Sequence, residues 1–245
     1  MLDLLGFGLV GMNLLAYLMI KMRPKLYKVE LYKPMLVNIR LSVAPILVQF
    51  PVMFICLQLD QMASNTGNDA YMVAAIVLAL LGFCIWLLLL PNSGYLITEL
   101  NFNHRQQDAH EVPLWYDIIS VLTLAMSGVL NMCYGVLMLE FMACLLLVYN
   151  GFHGTLALAS WVMTVVLLVL ASFGIYLGRY IRFNSWDIRH PVQFIKKLAG
   201  HYREKGSIKN CGLFVLLHAL FFIMFYNATM GASLEQILSN LKLMP

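Results

Sequence analysis

Two arginines three residues apart, Arg179 and Arg182, close a long apolar stretch and run into Asn184, Ser185 and Asp187. On a helix, positions i and i+3 are surface neighbours, so guanidiniums so placed repel unless an anion or a carboxylate lies between them. A matching carboxylate stands at Glu99, in "LLLLPNSGYLITELNFN", where a hydrocarbon-like run breaks at Pro91 and resumes half-apolar. Asn92, Tyr95 and Thr98 add hydrogen-bonding groups to that segment, and Arg40 places a third guanidinium inside another apolar run. These types suit recognition of an anionic group, a lipid headgroup or a phosphate-bearing molecule. Arg179 and Arg182 would be the anion contacts, Arg40 a supporting charge, Glu99 their ionic organiser, and Asn92, Asn184 and Asp187 the hydrogen-bonding frame. Plainer readings stand beside this one. The arginines can be orientation charges followed by a helix cap, and Arg40 can snorkel to lipid phosphate or pair with Glu99 or Asp187.

Other chemistry has less support. His104, Asp108, His110 and Glu111 are metal-ligand types in "HRQQDAHE", but their spacing fits neither HExxH nor a zinc finger. The five cysteines sit in or at the edges of apolar blocks without CxxC spacing, so neither a disulfide framework nor a metal site is expected. No hydrolase motif, P-loop or dinucleotide fingerprint occurs, and no cofactor is expected. A membrane-embedded enzyme with Glu99 or Asp187 as general base is thus less favoured than a binding role. An accessory subunit, with the polar cluster locking helices together, is the third possibility.

The elements that position these residues follow from composition. With 61% hydrophobic and 11% charged residues and a mean hydropathy of +0.79, the chain lies far from soluble-domain usage, where about a quarter of residues are charged. Apolar blocks near 2–20, 35–59, 71–90, 118–139, 156–177 and 213–230 are each near the ~20 residues that cross ~30 Å of hydrocarbon as a helix. The fourth can extend to Val148. Barrel strands would alternate over ~10 residues, and these runs do not. The fold class is all-α: a polytopic transmembrane bundle of about six helices, in one domain over residues 1–245. Block 2–20 is no cleaved leader, because Asp3 precedes it and Lys21, Arg23 and Lys25 follow it.

Basic residues crowd alternate connections: Lys21 to Lys33 after the first helix, Arg105 after the third, and eight from Arg179 to Lys209 after the fifth. The positive-inside rule then places both termini outside and the Glu99 and Arg179 segments at the cytoplasmic face of a cell membrane. Lys196, Lys197, Arg203, Lys205 and Lys209 can attract anionic lipid headgroups there, and nucleic acid need not be invoked. His218 fits a satisfied polar residue in a helix interface, and Glu140 an interfacial position if its helix ends near Leu139. In the tail, Leu234, Ile237, Leu238 and Leu241 share one face, which predicts a short helix over 233–243 along the outer membrane surface.

The two anomalous segments carry a resemblance. "LPNSGYLITEL" (residues 90–100) is similar to LPNxxYxxTDL, and "GIYLGRYIRFNSWD" (174–187) to GxYLGRxxRxNSWD, both of a bacterial multi-pass membrane family, domain of unknown function 1361. "VPLWYD" (112–117) is a weaker third match, and the helix pattern fits over roughly residues 36–230. The resemblance implies that Asn92, Tyr95, Thr98, Glu99, Arg179, Arg182, Asn184, Ser185, Trp186 and Asp187 are signature positions of one recurrent feature. It also implies a bacterial plasma membrane. Glu99 stands where the family has Asp, which lengthens the carboxylate's reach. Phe102 stands where a histidine is common, which weighs against histidine proton transfer. The family carries no assigned activity.

Overall fold

In the computed structural model, which describes residues 2–101, 105, 112–149, 151, 154–181 and 191–243, each apolar block forms a helix. The long helices are α1 (Leu2–Tyr27), α2 (Lys33–Thr66), α3 (Asp69–Gly94), α4 (Leu114–Tyr149), α5 (Ala157–Tyr176) and α7 (Ser207–Asn240). All six are long and apolar enough to cross a membrane. A shorter helix, α6 (Pro191–Arg203), separates α5 from α7. No strand occurs among the described residues. The chain is an integral membrane protein of helical-bundle type.

Burial separates the helices. In the most apolar window of α4, 61% of residues are buried, against 17–39% in the other five, so α4 is the post around which they pack. Small and polar residues spaced along it, Ser120, Ser127, Gly128, Asn131 and Gly135, let neighbours approach closely. The main core joins Trp86 and Leu90 of α3, Val129 to Met138 of α4, Leu168 and Ile175 of α5, and Phe222 and Tyr226 of α7. Between α2 and α3 the turn is tight. Gly67 ends α2 with φ 64°, a conformation natural to glycine, and the Asn68 side chain accepts the Ala70 N–H at 3.0 Å to start α3.

Four details correct the sequence expectation or decide between its alternatives. Pro91 does not stop α3, which runs on to Gly94 and passes into a 3₁₀ segment, Tyr95–Asn101. A proline costs a membrane helix one donor, and packing by neighbours lets the chain continue. Helix α4 continues to Tyr149, so Glu140 is buried inside it and is not interfacial. The tail forms no separate surface helix. Residues 233–240 are the last turns of α7, and Leu234, Ile237 and Leu238 enter the main core. The stripe faces protein and not the membrane surface, and Leu156 N–H donates to Leu243 O at 2.9 Å to pin the end. Finally, α6 was not foreseen. Its Val192 and Ile195 are exposed beside Lys196 and Lys197, while Tyr176 and His201 hydrogen-bond at 2.7 Å to tie it to α5.

Candidate functional site

Three glycine contacts bring the two unusual segments together. A Cβ on Gly174 of α5 would lie 2.7 Å from Pro91 Cβ and closer still to its Cγ, so the proline ring occupies the space that the glycine leaves. The small residue at Gly174 is what lets α3 approach α5 so closely. Gly94 faces Ile175 and Met132 in the same way, and Gly128 of α4 receives the Ser93 carbonyl and Leu96. Leu96 is fully buried, so the 3₁₀ segment tucks against the bundle. After Tyr176 the α5 backbone widens into a π turn, Leu177–Ile181, which packs on the 3₁₀ segment and carries Arg179. Such turns are frequent at functional sites.

At this junction Asn38 of α2 donates through Nδ2 to Glu99 Oε1 at 2.6 Å. Arg179 is half-buried and within electrostatic reach of Glu99, yet neither residue makes an ion pair among the described residues. Thr98 places a buried hydroxyl on the same segment with no hydrogen-bond partner among the described residues. Tyr95 is half-buried against the main core, and Asn92 is half-buried and engaged. Arg40 stands apart. Two residues from Asn38 on a helix, it turns to the opposite side and lines a gap beside α1, so Asn38 and not Arg40 meets Glu99. Arg182, Asn184, Ser185, Trp186 and Asp187 lie outside the described residues, as do His104, Asp108, His110 and Glu111.

Three further polar sites lie in the bundle, and their partners are not legible from sequence spacing. Asp117, fully buried at the start of α4, accepts from Arg23 Nε at 2.8 Å and from Arg105 Nη1 at 2.7 Å. Arg23, read above as an orientation charge, is itself only 6% exposed and ties α1 to α4. Its partner lay in plain view in "VPLWYD". Nearer the bundle centre, Asn13 and Asn131 exchange amide hydrogen bonds at 2.7 and 3.0 Å, and Asn131 also donates to Ser42 Oγ at 3.0 Å. Glu140 accepts from Thr164 Oγ1 and, at 2.5 Å, from Tyr226 OH, joining α4, α5 and α7. Isolated polar residues in apolar helices were the available signal for Asn131 and Glu140. His218 interacts with the Phe214 carbonyl of its own helix at 2.9 Å.

Among the described residues no group of three or more His, Cys, Asp or Glu could hold a metal, and all five cysteines are free. The comparisons with known proteins agree with the two signature segments. No curated protein and no solved structure matches the chain. The profile of the family described as "Protein of unknown function (DUF1361)" matches residues 46–226, well over half of the chain. That stretch contains both signature segments, while α1, Asn38 and Arg40 precede it. With a match over that stretch, the chain belongs to the DUF1361 family.

Proposed function

We propose that this is a binding protein of a bacterial plasma membrane that recognises an anionic group at the junction of the 3₁₀ segment and the π turn. The anion is a lipid headgroup or a phosphate-bearing molecule, handled in transport or envelope processes, and the junction faces the cytoplasm. The observation that carries the reading is Arg179. Half-buried, with Glu99 within electrostatic reach but without an ion pair among the described residues, its guanidinium lacks a direct partner of opposite charge. An anion would supply it, and Glu99, already held by Asn38, would set the guanidinium's position without neutralising it.

Native mass spectrometry of the purified protein tests this. Wild type should retain one more anionic lipid or metabolite per chain than the Arg179→Ala/Arg182→Ala variant. Equal numbers of bound anions in both would end the reading. A helix lock is the second reading, favoured by the bond from Asn38 of α2 to Glu99. Under it, Asn38→Leu lowers thermal stability while neither that variant nor wild type retains an anion at the junction. Under the binding reading, wild type retains one.

A further inference from the structure

A cavity of about 1060 Å³ lies between α1, α2 and α4, at the upper end of the size range of ligand pockets. It exists because α1 packs chiefly on α4 and only lightly on α2. Asn13 fastens α1 to Asn131 while the flank towards α2 stays open. The walls are apolar: Phe7, Val10 and Leu14 on α1, Leu47 and Phe50 on α2, all well exposed. Arg40 is the only charged residue that lines it, and it has no ion pair among the described residues. Lys21 stands over the Tyr17 ring at 5.8 Å, adding a second cation at the same end.

We infer that this groove holds a membrane glycerophospholipid with an anionic headgroup, its phosphate at Arg40 and Lys21 and an acyl chain along α1 and α2. Charge and length both argue for it. From Arg40 to Phe50 the wall rises about 15 Å at 1.5 Å per residue, half of the roughly 30 Å of hydrocarbon, so the groove spans one leaflet. The cations sit at one end of that wall, and the rest of it holds no further charge among the described residues. The two asparagines satisfy each other and make no demand on an apolar chain. A soluble anion would gain nothing from such walls. The site is separate from the Arg179 junction, because Arg40 and Asn38 point to opposite sides of α2.

The test uses the full chain in phosphatidylcholine nanodiscs doped with phosphatidylglycerol, followed by extraction and native mass spectrometry. Wild type should retain phosphatidylglycerol over phosphatidylcholine. Arg40→Gln should cut that preference about fivefold, the effect of one basic residue at a headgroup. Leu47→Trp, which fills the groove from an exposed position, should lose both lipids. The phosphatidylglycerol that Arg40→Gln and Leu47→Trp release should be counted separately from any anion lost in Arg179→Ala/Arg182→Ala, and the two losses should add in the combined variant. Equal retention of the two lipids by wild type would overturn the inference, as would an unchanged preference in Arg40→Gln. So would a wild-type dimer, carrying no lipid, that Leu47→Trp splits.

Discussion

Alanine at Gly128 tests how the segment bearing Glu99 is seated. The added Cβ would lie 2.7 Å from Leu96 Cβ and 2.9 Å from Leu96 Cδ1, and closer still to the Ser93 carbonyl oxygen. Two of these three atoms belong to the backbone or sit directly on it, so no side-chain rotation relieves them. Leu96 must back away from α4 by about 0.7 Å to restore ordinary contact at 3.4 Å, and the Ser93 carbonyl at the end of α3 by more. Overpacking of this kind costs about 1–3 kcal/mol, and the immovable neighbours place it at the upper end. Alanine recovers about 1 kcal/mol of helix propensity, leaving a net loss of about 2 kcal/mol. At roughly 2–4 °C per kcal/mol for a chain of this size, Tm should fall by about 4–8 °C. Gly135, two turns along the same helix, is the control. There the new Cβ meets only Trp86 atoms at 3.6 Å and Gln49 Oε1 at 3.8 Å, which is ordinary contact. Gly135→Ala should therefore raise Tm by about 2–4 °C. A fluorescence-monitored thermal scan in one detergent measures both. If Gly128→Ala melts at or above wild type, or both variants shift alike, then close seating on α4 does not hold the segment.

Asp117→Asn keeps shape and removes the charge between Arg23 and Arg105, so it should destabilise by about 3–5 kcal/mol, read as a large Tm drop in the same scan. A shift of only a degree or two would show that the buried carboxylate is not needed to hold α1 on α4. Tyr226→Phe strands Glu140 Oε2 in the core and should cost about 1–3 kcal/mol, whereas adding Glu140→Leu removes the stranded acceptor and should recover part of that loss. Additive effects in the double-mutant cycle would argue against a direct bond.

By itself the sequence determined the helical character and the approximate extents of six apolar helices, because runs of that length have few stable alternatives in hydrocarbon, where backbone groups must pair internally. It also marked the two segments that meet, since glycine, proline and isolated charges stand out against apolar residues. It did not determine which way polar residues turn. Arg40 and Asn38 are two residues apart in one apolar run, yet only packing against α1 on one side and the 3₁₀ segment on the other decides which faces Glu99. Arg23 counted equally as an orientation charge until the fold placed Asp117 against it. The tail stripe from Leu234 to Leu241 reads the same whether lipid or protein covers it, and α7 settles the matter by carrying it into the core. Hydrophobic periodicity records that a face is buried, and only the tertiary structure says against what.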